Sequence, residues 1–297
     1  KDDDKNPLDD NGEGVITMTV EGNTIGLQIY SFNEGDIITI DWGDGTVEEF
    51  KSVEIYDDWD EDGEDEIHYV LSIDSYVEHE YSNRNPHIVT IKGKIKYLDC
   101  EDNNLTSLDV SGCTALTKLD CSYNNLTLLD VSKNTALTEL DCRHNNLTLL
   151  NVSGYTALTF LNCYDNNLTS LDISKNTALT DLSCGGNNLT SLDISKNTAL
   201  TDLYCGENNL TSLDISKNTA LTDLSCGGNN LTSLDVSKNT ALTDLYCGEN
   251  NLTSSALNQI FRDLPQGKTG NIFIYDNPGS ETCDKSIAEN KGWEVYY

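Results

Sequence analysis

The chain has 297 residues, with 50 acidic side chains against 18 Lys and Arg and a formal charge of −32 at pH 7. Such a surface repels phosphate backbones and anionic lipid headgroups, which excludes nucleic acid and favours a basic protein, a neutral glycan or a divalent cation. No apolar run reaches the length of a membrane span, and the chain is long enough for two or three compact units.

Residues 1–14 (KDDDKNPLDDNGEG) are acidic and apolar-poor, the composition of a disordered tether. The arm resembles the start of mature surface lipoproteins of Bacteroidetes, just after their lipidated cysteine. That resemblance implies an outer-membrane lipid anchor in a longer form of the chain, or otherwise a secreted protein. The cysteine itself is not in this sequence, and an ordinary tail or an expression tag reads equally from these residues.

Residues 15–94 change to short alternating strands, clearest at 15–20, 25–30, 37–42, 67–73 and 87–91, with Gly and Asp clusters between them. Strands at this spacing predict a β-sandwich. The stretch Ile40-Asp-Trp-Gly-Asp-Gly-Thr46, followed by Val77-Glu-His-Glu-Tyr81, resembles the polycystic-kidney-disease (PKD) type of immunoglobulin-like domain. The resemblance implies a spacer or adhesive module. His68, His79 and His87 fall on predicted strands without metal-ligand spacing and read as structural. Asp58, Asp60, Asp62 and Gly63 reproduce the opening of a calcium loop, so Ca2+ is the one cofactor candidate. The twelfth loop position is Tyr69, where a bidentate Glu is required, and a freely solvated acidic loop is the competing reading.

From Ile95 to Leu252 one pattern recurs eight times at a step of 21 residues, with cysteines at 100, 121, 142, 163, 184, 205, 226 and 247. A fixed period of this kind predicts a solenoid whose coils stack, because one coil cannot bury its apolar edge alone. Each unit, such as Leu116-Thr-Lys-Leu119-Asp-Cys121-Ser-Tyr-Asn124-Asn-Leu126, resembles the bacterial leucine-rich repeat, in a short subclass with a nested half-period. The resemblance implies a right-handed solenoid of about eight coils, a parallel sheet on its concave side and a protein-binding role.

Numbered from its first Leu, each coil turns positions 1, 4, 6, 11, 14 and 16 inward. Position 9 is always Asn, which predicts a structural amide ladder bonded to backbone groups or to neighbouring amides. The position-6 cysteines face inward too. Stacked side chains nearly 5 Å apart miss the Cβ separation of about 3.8 Å that a disulfide needs, and no zinc spacing is present. They read as small buried hydrophobes. The recurring Asn-Leu-Thr matches a glycosylation acceptor, a coincidence the repeat itself explains.

Function is expected at the outward positions 3, 5, 7 and 8, where exposed aromatics mix with charges as interface cores favour. The candidate ligand-binding residues are Tyr97, Lys118, Tyr123, Arg143, His144, Phe160, Tyr164, Asp181, Asp202 and Tyr204. The last four coils alternate Asp-Leu-Ser-Cys-Gly-Gly with Asp-Leu-Tyr-Cys-Gly-Glu, a 42-residue step suggestive of internal duplication. Their stacked Asp181, Asp202, Asp223 and Asp244 repel one another, which a basic partner, bound cations or simple screening would relieve.

Residues 253–297 break the pattern and predict a small α/β cap: a helix over 254–264, a strand over 272–275, a helix over 282–290 and a strand over 293–296. Ala256, Leu257, Ile260, Phe261 and Leu264 are expected against the last coil. No Ser-His-Asp or Cys-His set emerges, so the reading is a non-catalytic, monomeric surface protein binding a protein through the solenoid's concave face. The alternative is a glycan- or cell-wall-binding module in which the sandwich takes part.

Overall fold

The computed structural model describes residues 13–57, 66–72, 76–267 and 269–297. The chain forms two compact units, Lys1–Leu150 and Asn151–Tyr297. The tether falls largely outside the described residues, as do Asp58, Asp60 and Asp62 of the calcium reading.

The first unit begins with β1 (Gly14–Val20), β2 (Thr24–Ser31), β3 (Ile37–Asp41), β4 (Val47–Lys51), β5 (Val53–Asp57), β6 (Glu66–Val70), β7 (Val77–Glu80) and β8 (His87–Gly93). Its first coils add β9 (Ile95–Asp99), β10 (Leu105–Asp109), β11 (Lys118–Asp120) and β12 (Glu139–Asp141). One sheet runs β10-β1-β8-β3-β4, and β2 joins β7, β6 and β9 in the other. Alternating residues of β1, Ile16, Met18 and Val20, are buried while their neighbours are half-exposed. This is the period-2 pattern of a sheet with one buried face.

The Asp41-Trp-Gly-Asp-Gly-Thr46 stretch is the β3–β4 connection. Gly43 and Gly45 take φ of 81° and 97°, and a Cβ on Gly43 would run into the Ile88 carbonyl. Buried Trp42 donates from Nε1 to Glu48 at 2.7 Å, and Tyr81 Oη donates to the Trp42 carbonyl at 2.9 Å. His79 lies flat on Trp42 at 4.8 Å and bonds Asp44 at 2.9 Å, while His87 stacks on Tyr81 at 3.9 Å. Both histidines pack the interior of this region.

Strand pairing crosses residue 94. Strand β9 pairs antiparallel with β2, and β10 pairs antiparallel with β1. The first coil thus closes against both sheets, and Asn103 exchanges two bonds with Gly26 of β2, at 2.8 and 2.7 Å. Strands β4, β5 and β10 were not expected from the alternation, because their exposure does not alternate or their pairing is long-range.

The second unit carries β13 (Phe160–Asn162), β14 (Asp181–Ser183), β15 (Asp202–Tyr204), β16 (Asp223–Ser225) and β17 (Asp244–Tyr246). These are followed by α1 (Ser254–Asp263), β18 (Gly270–Phe273), α2 (Ser286–Glu289) and β19 (Trp293–Tyr296). All seven strands pair in parallel in sequence order, each step falling on the same repeat position. The cap continues the stack: Ile272 pairs with Leu245, Ile274 takes the cysteine position, and Asn277 takes the ladder position. The repeating pattern therefore runs to about nine turns, beside the about eight expected.

Helix α1 is capped by Thr253, whose Oγ1 accepts from Ala256 N, one residue before the Ser expected there. It buries Leu257, Ile260 and Phe261, and Leu264 beyond it is buried as well, whereas Ala256 is half-exposed. The second cap helix is only four residues, shorter than the 282–290 span expected.

Inside the coils the position-9 amides bond backbone, and the expectation that neighbouring amides bond each other is corrected. Asn187 Nδ2 donates to Cys163 O of the preceding coil at 2.9 Å, and its Oδ1 accepts from Leu168 N at 2.9 Å. The same pair of bonds recurs at Asn208, Asn229, Asn250 and Asn277. Threonines at position 2 form a second ladder, with Thr201, Thr222 and Thr243 each donating to the corresponding Thr carbonyl one coil back at 3.2 Å. The eight periodic cysteines are all buried. In the first unit Cys100 and Cys121 point their thiols at the next coil's Asp120 and Asp141 carbonyls, at 3.3 and 3.5 Å.

Candidate binding surface

Outward positions differ from inward ones in backbone as well as in side chain. Position 8 sits in the left-handed region in coil after coil, at φ of 50–52° for Asp102, Tyr123, His144, Asp165, Glu207 and Glu249. Only Gly186 and Gly228 occupy it without a Cβ. Such a conformation costs a non-glycine residue about 1–2 kcal/mol. This conformation turns these side chains outward beside the strand.

In the first unit, this edge carries Tyr123 and His144 stacked at 4.2 Å, with the Arg143 guanidinium 5.5 Å from the Tyr123 ring. Tyr123 remains exposed. Arg143 also pairs with Asp141 at 3.2 Å and reaches Glu101 at 3.9 Å. On the adjoining strands Lys118 bonds Glu139 at 2.7 Å. Tyr97 is half-buried, its ring 4.7 Å from Tyr30. Burial and nearby Asp99 push its phenol far up, so it serves packing more than contact.

Beside this patch, Asp99, Glu101 and Asp120 bring three carboxylates within 4.8 Å of one another, a cluster the sequence reading missed. Burial, then Asp120, raises the Asp99 carboxyl, which accepts from Tyr76 Oη at 3.1 Å and from Glu101 N at 2.9 Å. Burial likewise raises the Tyr76 phenol to about 12. Arg143 supplies part of the countercharge through Glu101.

In the second unit the strand face opens into a trough of 320 Å³. Its floor is the position-7 column Gly185, Gly206 and Gly227, continued by Gly248. A Cβ on Gly185 would meet the Tyr164 ring at 3.0 Å, and one on Gly248 would meet Tyr275 at 2.9 Å, so those two rings close the ends. One wall is Tyr204, Ser225 and Tyr246; the other is Glu207, Gly228 and Glu249. Tyr246 is stacked on Phe273 at 4.2 Å, and Phe273 on Tyr296 at 4.4 Å.

The carboxylates flanking the trough feel one another. Asp202 and Asp244 border Asp223 in register, and burial, then Asp202 and Asp244, raise the Asp223 carboxyl. Burial, then Asp202 and Asp223, raise the Tyr204 phenol. On the same coils Asp193 and Asp214 are lowered instead, by hydrogen bonds from Ser195 and Ser216.

The structure brings Tyr123, Arg143 and His144 together in the first unit, and Tyr164 and Tyr204 into one trough in the second. Asp181 and Asp202 lie two residues along their strands from the position of the tyrosine wall, and Phe160 pairs in register with Asp181. Sequence reasoning missed the glycine floor, Tyr246, Tyr275, Glu207 and Glu249. The signal was present: Tyr246 and Glu249 repeat Tyr204 and Glu207 at a 42-residue step. The thiol column offers no nucleophile, since burial raises the Cys184, Cys205 and Cys247 thiols well above their ordinary range. Among the described residues no helix is long and apolar enough to cross a membrane.

No protein-family model matches the chain, and no curated protein matches it. Among solved structures it is similar to the functional domain of InlJ from Listeria monocytogenes, described as including a cysteine ladder. Identity there is 32% over 68% of this chain and 53% of that one, at a TM-score of 0.41. It is also similar to the internalin InlF of L. monocytogenes, at 20% identity, 67% and 66% coverage and a TM-score of 0.54. A leucine-rich repeat protein of Leptospira interrogans matches at 20% identity, 63% and 56% coverage and a TM-score of 0.49. The chain spans between about half and two thirds of the length of these structures. With its in-register parallel strands, amide ladder and nine strand-bearing turns, the protein has the leucine-rich repeat fold of bacterial solenoid proteins.

Proposed function

We propose that this chain is a non-catalytic binding module, displayed at a cell surface or secreted, that recognises a partner protein on the outward strand face of its coils. The observation carrying this reading is the contrast within each coil. Inward positions are filled by buried Leu, Cys and Asn in every turn, whereas positions 5, 7 and 8 place exposed Tyr204 and Tyr246 around bare glycine backbone. Exposed tyrosines are what protein interfaces concentrate at their centres. The region before residue 95, PKD-like in sequence, acts as a spacer that seals the first coil.

The test is affinity capture from cell extract or culture fluid with the intact chain, compared with a Tyr204→Ser, Tyr246→Ser double variant. Serine already occupies the same position in the alternate coils, at Ser183 and Ser225. The reading expects a protein partner that the double variant loses and a Lys196→Ala, Lys217→Ala variant on the far side keeps. Equal capture by all three chains would overturn it. Binding that survives proteolysis of the extract and reappears on oligosaccharides would favour the glycan alternative.

A further inference from the structure

We propose that the trough of the second unit binds a cationic segment in the polyproline II conformation, running along the direction in which the coils stack. This deepens the protein-binding reading above and rests on it. Two periodicities coincide along the trough. Tyr204 and Tyr246 are two coils apart on one wall, with Ser225 between them. Glu207 and Glu249 are two coils apart on the other, with Gly228 between them. At the strand spacing of a sheet, two coils are about 9.6 Å.

A polyproline II helix has three residues per turn at 3.1 Å rise, a repeat of about 9.3 Å. Residues i and i+3 of such a segment meet successive tyrosines on one side and successive glutamates on the other without any change of pitch. A β-strand repeats its side chains on one face every 6.8 Å or so and falls out of step after one interval. The gaps above Ser225 and Gly228 are open notches where a pyrrolidine ring fits against a tyrosine edge, the contact by which aromatic-lined grooves read proline-rich segments.

Charge sets the sign of the occupant. Glu207 and Glu249 line one wall, and Asp181, Asp202, Asp223 and Asp244 form the column next to the tyrosine wall opposite. Positions 3, 5, 7 and 8 of these coils contain no Lys or Arg, and the repeat's lysines 175, 196, 217 and 238 all lie at position 18. Arg or Lys at every third residue of the bound segment would neutralise one glutamate per two coils, leaving the prolines between them to face the tyrosine wall. The floor, four glycines along three coil steps, is about 14 Å long and accepts four to five residues of such a helix.

The experiment measures binding of a fluorescent acetyl-Pro-Pro-Arg-Pro-Pro-Arg-Pro-Pro-Arg amide to the intact chain, as anisotropy over a range of salt concentrations. A Gly-Ser-Arg peptide of equal length and charge, and a β-1,4-linked N-acetylglucosamine oligosaccharide, are measured alongside. The expected result is saturable binding of the proline peptide that weakens with salt. The Gly-Ser-Arg peptide should bind about tenfold more weakly, as expected when an unstructured chain must first be ordered. Glu207→Gln with Glu249→Gln should lower affinity for the proline peptide by about tenfold, and Tyr204→Ser with Tyr246→Ser should abolish it. Equal binding of both peptides would reduce the site to charge alone and overturn the proposal. Tyrosine-dependent binding of the oligosaccharide without the proline peptide would overturn it in favour of a glycan. If no peptide binds while the tyrosine variant still loses its captured partner, this inference fails and the protein-binding reading stands; if capture is also unaffected, both fail.

Discussion

Five of the coils contain two buried asparagines, and the two are not equivalent. The position-9 amide uses both its ends: Asn187 donates to Cys163, Cys184 and Gly185 carbonyls, and its Oδ1 is the acceptor for Leu168 N. The position-19 amide uses one. Asn197 Nδ2 donates to the Ile173 and Asn176 carbonyls, but those already accept from Asn176 N and Leu179 N, and Asn197 Oδ1 is buried with no partner. The chain itself reflects the difference. Position 9 is Asn without exception, through to Asn277, whereas position 19 is filled by Cys113 in the first coil and Tyr155 in the third. One ladder supplies a bond nothing else can; the other reinforces bonds that exist without it.

Substitution should separate the two ladders. Asn187→Ala leaves a buried N–H orphaned and should cost about 2–3 kcal/mol in equilibrium urea unfolding. Asn197→Ala removes redundant bonds together with an unsatisfied oxygen and should cost about 1 kcal/mol or less. Equal losses would mean that the two ladders are equivalent and the bond inventory is a poor guide to stability. A smaller effect, about 1 kcal/mol, is expected for Gly186→Ala, which places a Cβ at φ of 60° beside the Asp165 backbone.

Two aspartate columns of the second unit extend the contrast to pH. Hydrogen bonds from Ser216 lower the Asp214 carboxyl below its unfolded value. Its stabilisation is therefore present above the unfolded value near 3.9 and is lost as pH falls through the folded one. Asp214→Asn should flatten the acid limb of the stability curve. Asp223 shifts the opposite way, chiefly through burial. Its contribution is present at low pH and disappears as pH rises through the raised value. Asp223→Asn should raise the melting temperature slightly at pH 7 and leave it unchanged at pH 3. The smallest signal is chemical: the periodic thiols should react with a thiol reagent only at the rate of unfolding, and half-exposed Cys283 first.

Much of this was legible in the residues. The 21-residue step places Leu119, Cys121 and Asn124 inward and exposes Tyr123 and Tyr204, because the pattern repeats too often for another register. The ninth turn escaped because α1 is inserted before it and Ile274 replaces cysteine. Asn277 nevertheless follows Ile272 by the same interval as Asn250 follows Leu245. The left-handed backbone at Tyr123 has no local signature, since tyrosine does not favour that conformation. Pairing of β10 with β1 joins residues some ninety positions apart, which alternation cannot reveal. The trough was seen only as a list of outward residues. Its glycine floor reads in sequence as scaffold and becomes a binding feature once Tyr164 and Tyr275 are seen folded over its ends.

The central claim is that the two-coil alternation of tyrosine and serine serves recognition, with the Tyr246–Phe273 ring contact as its link to the stack. Its most direct test is to measure the unfolding midpoint and partner capture on one preparation of the Tyr204→Ser, Tyr246→Ser chain. The account predicts a loss of no more than about 1.5 kcal/mol, the most the Tyr246–Phe273 ring contact is expected to contribute, together with loss of the partner. A chain that keeps its partner, or loses it only in proportion to lost stability, would contradict it.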